Sequence, residues 1–368
     1  MNRLFPLPFF TFLRITREHG GIARTGIKNL PGWLIKTILL EPFRWIEIAF
    51  FRRKIEQHTI TRDPIFVLGF YRSGTSFLHE FISQDQRLRY HSVFQMIFPE
   101  IMLTTEKWLS PLLEGICRIF RLQDPVHRIP MSFRYPGEED GTMTTAVNPR
   151  GAQWGYFFPE KMKDHFNRYV LFDDVTETEQ QAWTKDFLFL LKKISLSGKG
   201  RQLVLKSPPN TARIKLLLSL FPNAKFIFIH RHPVDVYLSN KRFWKVTHRI
   251  YALGRIPEMG VNQVILDTYS RMMDRYLEEK SLVPSGQLVE IPYDNLVREP
   301  VDTMRAIYRQ LGLDDFSHCE KQMQQFADLQ QNFVRLKHEM PPDELQLVTD
   351  RFERYISHWQ YNRKQAAS

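Results

Sequence analysis

A short apolar strand, a glycine-containing loop and the start of a helix follow one another in the stretch VLGFYRSGTSFLHEF, residues 67 to 81. Gly69 and Gly74 have the spacing of a phosphate-binding loop, G-x-x-x-x-G-K-[ST]. Such a loop binds an anion through successive backbone N–H groups and the N-terminus of the following helix. Thr75 stands where nucleotide-hydrolysing proteins have lysine. Because that lysine serves the β- and γ-phosphates, its replacement indicates a ligand without a γ-phosphate.

Strands and helices alternate from residue 64 onward, which predicts an α/β fold built on a P-loop-type parallel sheet flanked by helices. The predicted strands are 65–68, 203–205, 225–229 and 288–291. The predicted helices are 75–83, one opened by Pro209, 234–243 and 301–311. About 130 residues separate the first two strands, far more than a crossover needs. We therefore expect a large helical and loop insertion at 91–200, within one domain at 61–368 that follows a helical extension at 1–60.

Cationic residues stand where predicted strands end. Lys206 closes the second strand, Arg231 follows the third, and Ser239 lies eight residues further on in the next helix. Strand ends on one side of a parallel sheet line a common crevice, which Arg72 of the loop would also reach. A nucleotide-hydrolysing protein places an aspartate at such a strand end to hold magnesium. A basic strand end instead predicts a ligand with two separated anionic groups and no metal.

Between about residues 64 and 313, the sequence resembles the sulfotransferases that use 3′-phosphoadenosine 5′-phosphosulfate (PAPS). It is most similar to the branch with an R-S-G-T-[ST] loop, which many bacterial members share with the tyrosylprotein sulfotransferases. The matching stretches are GFYRSGTSFLHEFIS, PMSFRYPGEEDGTM, LVLKSPPNTARIKLLLSLFPNAKFIFIHRHPVDVYLSN and IPYDNLVREPVDTMRAIYRQLGL. The resemblance implies an enzyme that moves a sulfuryl group from PAPS to a hydroxyl acceptor without a metal.

The resemblance also assigns roles to individual positions of this chain. The 5′-phosphosulfate would be held by the loop residues Arg72, Ser73, Gly74, Thr75 and Ser76. Arg231 and Ser239 would hold the 3′-phosphate, and Tyr293, in the family's Y-x-x-L stretch, would lie against the nucleotide. Arg72 and Lys206 are the candidates for neutralising charge on the bridging oxygen and the leaving phosphate.

Three departures from the family pattern stand out. Cytosolic family members carry lysine in the loop where this chain has Arg72. Their late R-K-G-x-x-G signature is absent, which leaves the residues that cover the nucleotide from the C-terminal side open, with Arg335 and Lys337 as candidates. Related bacterial sequences often have histidine where this chain has Asn210.

The base that accepts the proton of the acceptor hydroxyl has three candidates. Glu138 and Glu139 of PGEED resemble the acidic segment that supplies the base in the tyrosylprotein branch. Repulsion between adjacent carboxylates can raise the pKa of one of them. An acidic run on a turn is also commonly a solvated surface. His127 is the competing candidate, because cytosolic members use a histidine at a loosely comparable distance after the loop.

Aromatic and methionine side chains are frequent in the insertion. They are Phe94, Met96, Phe98, Met102, Trp108, Met131, Phe133, Tyr135, Trp154, Tyr156, Phe157 and Phe158. They suit an apolar pocket for a lipophilic alcohol, sterol-like or lipid-like, although they also suit the insertion's own core. Carbohydrate and a tyrosine in an acidic peptide are the alternative acceptors.

The N-terminal stretch LIKTILLEPFRWIEIAFFRRK places Phe43, Ile46 and Phe50 at helical spacing, with charged residues between them. Pro42 is expected to break or begin a helix there. The pattern fits a helix lying on a membrane surface, which gives residues 1–55 a peripheral membrane contact. It equally fits a helix packed on the protein's own core.

Composition narrows the remaining alternatives. The net charge of +11 favours anionic partners, and the resemblance points to a nucleotide donor and a hydroxyl acceptor rather than to nucleic acid. Two cysteines cannot form a disulfide framework, so we expect a reducing compartment and a cytoplasmic protein, with membrane association on the cytoplasmic face. The Phe-rich N-terminal run is interrupted by prolines and lacks a small-residue cleavage site, and no stretch approaches roughly 20 uncharged apolar residues, so we expect neither a signal peptide nor a transmembrane span. A P-loop kinase or NTPase, or a non-catalytic anion-binding protein, are the alternatives of another class.

Overall fold

A computed structural model describes residues 9–18, 21–22, 30–124, 129–145, 150–257, 261–313, 315–330 and 340–363. The chain divides into two compact units, each made of three segments. The first unit comprises Met1–Arg62, Arg89–Leu205 and Trp244–Gly260. The second comprises Asp63–Leu88, Lys206–Phe243 and Val261–Ser368. The predicted phosphate loop falls in the second unit.

The described residues form five strands and a larger number of helices. The strands are β1 (Ile65–Leu68), β2 (Leu88–Tyr90), β3 (Gln202–Lys206), β4 (Lys225–His230) and β5 (Leu288–Pro292). The helices of the first half are α1 (Phe9–Glu18), α2 (Leu30–Gln57), α3 (Thr75–Ile82), α4 (Val93–Ile97), α5 (Met102–Ile119), α6 (Glu139–Thr145), α7 (Trp154–Phe157), α8 (Met162–Phe166) and α9 (Glu177–Ser197). Those of the second half are α10 (Ile214–Leu220), α11 (Pro233–Tyr251), α12 (Asn262–Glu279), α13 (Tyr293–Arg298), α14 (Pro300–Leu311), α15 (Ser317–Gln330) and α16 (Pro342–His358). Short 3-10 turns cover Pro159–Lys161, Pro208–Ala212 and Lys280–Leu282, and a π-helical turn covers Asn167–Leu171.

The strands form one sheet in the order β2-β3-β1-β4-β5. β4 lies between β1 and β5 and is parallel to both, with Ile65 opposite Lys225 and Phe226 opposite Leu288. Every side chain of β1 is buried, as expected for a parallel strand covered on both faces. The predicted α/β fold with a parallel sheet flanked by helices is therefore confirmed.

The strand after the loop-helix unit was missed from sequence. β2 has only three residues, and its Arg89 and Tyr90 are only partly buried, so it carries no apolar run that would predict a strand. The helix expected to open at Pro209 begins later, at Ile214, because Pro208–Ala212 forms a 3-10 turn first. A short 3-10 segment before an α-helix is a common way to start one.

Pro42 does not break or begin a helix, contrary to the expectation. α2 runs from Leu30 to Gln57 with Pro42 inside it. A proline costs the helix one backbone hydrogen bond, and this position is exposed, so water can satisfy the carbonyl that loses its partner. None of the helices among the described residues is long and apolar enough to cross a membrane.

Aromatic side chains of the predicted insertion contribute to the core of the first unit. Trp154, Phe157 and Phe158 pack with Phe12 and Ile15 of α1 in one buried cluster. Leu253 completes this cluster. α1 is therefore held to the unit by its buried side, while Phe10 on its other side is exposed. These three aromatic residues of the insertion therefore have a structural role in the core of the first unit.

Candidate active site

The loop between β1 and α3 requires glycine at two places. The backbone φ angle is 148° at Gly69 and 109° at Gly74, in the region that L-residues avoid. A Cβ at Gly69 would stand 2.6 Å from the backbone oxygen of Ile229. A Cβ at Gly74 would stand 2.3 Å from Cδ2 of Tyr293. Only hydrogen at these positions lets the loop lie this close to β4 and to the Tyr293 ring.

Two polar side chains from later in the chain fix the loop backbone. The N–H of Gly69 donates to Oγ1 of Thr211 at 2.8 Å, and this hydroxyl donates to the oxygen of Gly69 at 3.2 Å. The Asn240 amide donates to the oxygen of Tyr71 at 2.8 Å. Both anchors were missed from sequence, although they lie within the KSPPNT and YLSN stretches that carried the resemblance. Neither Thr211 nor Asn240 stands in a sequence pattern that would have predicted its contact with the loop.

Arg72 of the loop contacts Ser239 of α11. Nε of Arg72 donates to Oγ of Ser239 at 3.3 Å, and the guanidinium lies over the ring of Phe243, 5.6 Å from its centroid. Arg72 itself has a positive φ of 69°. Both Arg72 and Ser239 are half-buried, so their polar atoms remain accessible to a ligand at the loop.

Lys206 and Ser76 form the second polar contact of the site. Nζ of Lys206, at the end of β3, donates to Oγ of Ser76 in the first turn of α3 at 3.2 Å. Lys206 is buried and Ser76 is exposed. This ammonium group therefore stands at the N-terminus of α3, where the helix dipole also favours an anion.

Arg231 and Tyr293 form the third contact. The guanidinium of Arg231, directly after β4, lies over the ring of Tyr293 at 5.0 Å from its centroid. Asp235, one turn into α11, is 3.9 Å from Nε of Arg231. Tyr293 is the first residue of α13, at the end of β5, and its ring is the one that lies against Gly74. The ends of β4 and β5 thus place Arg231 and Tyr293 beside the loop.

The loop offers groups that suit a bound phosphate. Oγ of Ser73 is buried and has no hydrogen-bond partner within the part of the chain that the structure describes. A phosphate oxygen can accept from that hydroxyl as well as from backbone N–H groups of the loop. Thr75 is buried at the start of α3 and provides a further hydroxyl. Within the described ranges no three His, Cys, Asp or Glu side chains are grouped to hold a metal ion.

A segment near the C-terminus lies against the end of β4, and sequence reasoning missed it. His230 Nδ1 is hydrogen-bonded to the hydroxyl of Tyr361 at 2.8 Å, and the His230 ring stacks on Trp359 at 5.1 Å. His232 Nε2 is hydrogen-bonded to the oxygen of Asn362 at 2.9 Å. This segment is therefore fastened to both neighbours of Arg231. Arg335 and Lys337, the sequence-based candidates for the covering role, lie outside the described residues.

Burial controls the protonation of His230. Removal from water lowers the pKa of this imidazole to about 4, and the nearby Glu290 offsets only part of that effect. The ring is therefore neutral at physiological pH and can share one hydrogen with Tyr361. Burial likewise raises the pKa of Tyr361, so its hydroxyl stays protonated.

The candidate bases Glu138 and Glu139 belong to the first unit. Glu139 is the first residue of α6 and is 1% exposed. Glu138 is half-buried, and its carboxylate accepts from the Gln153 amide at 3.0 Å. His127 lies outside the described residues. His91, a buried histidine of this unit, is 3.2 Å from the Thr142 hydroxyl, and burial lowers its pKa to about 3.

Asn210, at the position where related sequences often have histidine, has a structural contact. It is fully buried, and its side-chain oxygen accepts from Nη1 of Arg213 at 3.2 Å. Arg213 is itself buried, so Asn210 satisfies part of a guanidinium that has left water.

Comparisons with known proteins show which proteins this chain is similar to. Over 319 residues the chain is 26% identical to an omega-hydroxy-beta-dihydromenaquinone-9 sulfotransferase, Stf3, of Mycobacterium bovis, covering 87% of this chain and 80% of that protein. The crystal structure of sulfotransferase STF9 from Mycobacterium avium matches with a TM-score of 0.71 at 18% identity, over 98% of each chain. Sulfotransferase STF1 from Mycobacterium tuberculosis H37Rv matches with a TM-score of 0.66 at 16% identity, over 93% of this chain and 90% of that chain. These two structures share the fold.

The family model that matches residues 64–318 covers both the loop and the strand ends that carry the site. It begins one residue before β1 and extends past α14. The resemblance seen in the sequence is confirmed, and the chain belongs to the Sulfotransferase family.

Proposed function

We propose that the protein transfers the sulfuryl group of PAPS to the hydroxyl of a lipophilic alcohol. The observation that carries this proposal is the convergence of Arg72, Lys206 and Arg231 on one phosphate-type loop. These cations come from three different segments of the chain. Their arrangement suits a donor with two separated anionic groups, such as the 5′-phosphosulfate and 3′-phosphate of PAPS.

In this proposal the loop and the first turn of α3 bind the 5′-phosphosulfate. Backbone N–H groups and the side chains of Arg72, Ser73, Thr75 and Ser76 supply the donors, and Gly74 leaves the room they need.

The 3′-phosphate is assigned to Arg231 and Ser239, with Tyr293 against the nucleotide. The contact of Arg231 with the Tyr293 ring and the hydrogen bond of Ser239 with Arg72 of the loop support this assignment. The segment fastened to His230 and His232 is proposed to cover the nucleotide from the C-terminal side. It takes the place of the R-K-G-x-x-G signature that this chain lacks.

The reaction forms a bond between the acceptor oxygen and sulfur while the bond from sulfur to the bridging oxygen of the phosphosulfate breaks. Negative charge accumulates on the departing phosphate, and Arg72 and Lys206 are proposed to neutralise it. The acceptor proton passes to a carboxylate, for which Glu138 and Glu139 are the candidates. The products are the sulfate ester and 3′-phosphoadenosine 5′-phosphate (PAP).

The acceptor class is supported by composition and by a relative. The Mycobacterium bovis protein is named for a dihydromenaquinone that carries an omega-hydroxyl group. Such a substrate combines one polar end with a long apolar body, and aromatic and methionine side chains in the 91–200 segment suit an acceptor of that kind.

A lipid-like acceptor would reside in a membrane, so the proposal includes contact of the protein with the bilayer. Residues 1–55 are proposed to contact a membrane peripherally, on the cytoplasmic face of the bilayer. The net charge of +11 supports this, as do the exposed apolar side chains Phe9, Phe10 and Leu13 on α1.

The testing experiment measures nucleotide binding and then transfer. Binding of each nucleotide to the full chain is measured by calorimetry without magnesium. PAP is expected to bind much more tightly than ATP or adenosine 5′-phosphosulfate. Radiolabelled PAPS is then supplied with a hydroxylated isoprenoid quinone, a sterol, a sugar and a tyrosine peptide. Label in the quinone or sterol supports the proposal, and label only in the sugar or peptide contradicts the acceptor class. Preference for magnesium-ATP would contradict the donor.

A further inference from the structure

The long helix α2 buries charged side chains within the first unit, alongside Ile55 near its C-terminal end. Arg44 and Glu47 are buried, whereas a helix docked on a protein core normally buries its apolar side. The Glu47 carboxylate accepts from the backbone N–H groups of Leu103 and Thr104 at 2.7 and 3.0 Å, in the first turn of α5. It also forms a buried ion pair with Lys193 of α9.

These contacts fix the rotation of α2 about its axis. A buried carboxylate that lost Lys193 and the helix N-terminus would remain uncompensated in the interior, which is strongly unfavourable. Arg44 adds a contact to Glu41 at 2.6 Å on the same helix. The helix therefore cannot turn its apolar side inward without exposing or orphaning Glu47.

The outward side of α2 is apolar as a result. Ile35, Ile38, Leu39, Trp45 and Phe50 are each 59 to 69% exposed. At about 100° per residue around the helix axis, these five side chains fall within an arc of about 140°, which is one broad face of the helix. Over this length the exposed face extends for about 20 Å at the rise of an α-helix.

α5 presents a second apolar face beside it. Trp108, Leu112 and Ile119 are 49, 55 and 76% exposed and recur at four and seven residues. The ring of Trp108 lies 5.8 Å from the ring of Phe43 in α2. The two faces therefore meet, and the exposed side chains of α2 and α5 together form what we term the α2–α5 surface.

Cations border this surface. Arg52, Arg53 and Lys54 follow the apolar stretch of α2, and all three are exposed, with Arg52 ion-paired to Glu56 at 3.1 Å. Arg118 and Arg121 stand at the end of α5 and are exposed as well. An apolar centre with a cationic border is the pattern of a surface that enters the interface of an anionic bilayer.

The same pattern argues against a second copy of this chain as the occupant. A twofold contact brings the same patch of two chains together, so the cations bordering it would approach their own copies. The net charge of +11 adds long-range repulsion between two such chains. Anionic lipid headgroups, by contrast, match the charge of the border.

We propose that the α2–α5 surface is the membrane-docking face of this protein, with its apolar side chains inserted among anionic lipids. This inference deepens the proposed function, because it names the surface and the lipid class through which the enzyme reaches a lipid-like acceptor. The buried ion pair of Glu47 with Lys193 fixes the rotation of α2, so that the apolar side of the helix faces outward.

The test is vesicle flotation of the full chain, with phosphatidylglycerol–phosphatidylcholine vesicles compared with phosphatidylcholine alone. The wild-type chain is expected to float with the anionic vesicles, and less so as salt is raised. Ile38→Glu with Phe50→Glu is expected to weaken binding at least about tenfold. Leu329→Glu, at an exposed apolar side chain of α15, is the control and is expected to bind like wild type.

A second pair of variants tests the border. Arg52→Glu with Arg53→Glu is expected to weaken binding about tenfold, whereas Arg298→Glu with Arg309→Glu changes the net charge equally at exposed positions elsewhere and retains binding. All variants are checked for PAP binding, which reports an intact fold and donor site.

Three results would overturn the inference: a wild-type chain that does not float, surface variants that float equally well, or a solution dimer that Ile38→Glu dissociates without any lipid binding. Vesicle binding by a chain that binds no PAP would support the docking surface and contradict the proposed function. The two failures are therefore distinguishable.

Discussion

Lys206, the last residue of β3, donates from Nζ to Oγ of Ser76 in the first turn of α3 at 3.2 Å. A buried strand-end cation is thereby held at the helix terminus where the loop ends. The contact joins two stretches that are 130 residues apart in the chain. In the proposed reaction, this contact keeps the ammonium group where charge on the departing phosphate develops.

Replacement of Lys206 by methionine is expected to lower kcat about 10²- to 10³-fold, because a donor that acts mainly on transition-state charge is lost. PAP binding should fall much less. Lys225→Met is the matched control, since this lysine stands at the start of β4, whereas Lys206 stands at the end of β3, and it donates to the oxygen of Gly312. Steady-state kinetics with radiolabelled PAPS measures the effect. A Lys206→Met enzyme with wild-type kcat would remove Lys206 from the mechanism.

Arg231→Ala is expected to weaken binding of PAP about 10- to 100-fold, because hydrogen bonds to a charged phosphate are lost. Binding of adenosine 5′-phosphate, which lacks the 3′-phosphate, should change little. Calorimetry with both nucleotides gives the comparison, and Arg298→Ala at an exposed position serves as control. Equal losses for the two nucleotides would mean that Arg231 does not bind the 3′-phosphate.

Gly74→Ala is expected to abolish PAP binding and to destabilise the fold by more than the strain of a positive φ, about 1–2 kcal/mol. The added Cβ would stand 2.3 Å from the Tyr293 ring. Gly286→Ala isolates the strain, because Gly286 also has a positive φ, 79°, and nothing lies within 4 Å of its Cβ position. Urea unfolding compares the two. Combining Gly74→Ala with Tyr293→Ala should recover part of the lost stability, and no recovery would place the clash elsewhere.

Glu138 and Glu139 are alternative candidates for the base, so one of the two variants Glu138→Gln and Glu139→Gln is expected to lose activity. In that variant kcat falls about 10²- to 10⁴-fold and PAP binding is retained, since a neutral amide cannot take the acceptor proton. Glu114→Gln is the control for loss of a structural carboxylate in the same unit, because Glu114 accepts from the Ser132 hydroxyl at 2.8 Å. The pH dependence of kcat should lose its acidic limb in the affected variant. If both variants retain kcat, the base is a different residue.

Stability is expected to decrease as the pH falls from about 6.5 toward 4. Burial lowers the pKa of His230 from 6.5 to about 4, so the unfolded chain binds more protons than the folded chain in this range. The contribution of neutral His230 is complete above pH 6.5 and is lost as the pH falls. His248, whose pKa burial also lowers to about 4, acts in the same direction.

Urea unfolding at several pH values measures this dependence. The slope should be smaller in His230→Gln than in wild type, while His318→Gln, at an exposed position, should keep the wild-type slope. An unchanged slope in His230→Gln would mean that His230 is not the group whose protonation opposes folding. Near-ultraviolet circular dichroism at pH 7 confirms that each variant is folded.

The sequence alone predicted the elements that belong to the phosphate loop. Two glycines at fixed spacing, an apolar run before them and a helical pattern after them are local signals, and the strand ends at Lys206 and Arg231 are local as well. Parallel-sheet geometry then brings such strand ends together, and the structure places Lys206 against Ser76 and Arg231 over the Tyr293 ring. The three-residue strand β2 was missed because it has no such pattern.

The anchors of the loop depended on contacts that no local pattern encodes. Thr211 and Asn240 are 142 and 169 residues from the backbone groups they bind. Tyr361 is 131 residues from His230. Hydrogen bonds over such separations follow from where the chain packs, and sequence spacing carries no information about them.

α2 shows most clearly what each level decided. Its sequence determined that Ile46 and Phe50 share a helix with Arg44 and Glu47, and that either side could face a partner. Only the tertiary structure decided that the charged side is buried, because Lys193 and the N-terminus of α5 compensate the Glu47 carboxylate there. The apolar side consequently faces outward. The local sequence pattern determines which residues share a face of the helix, whereas the compensation of buried charge determines which face is buried in the protein.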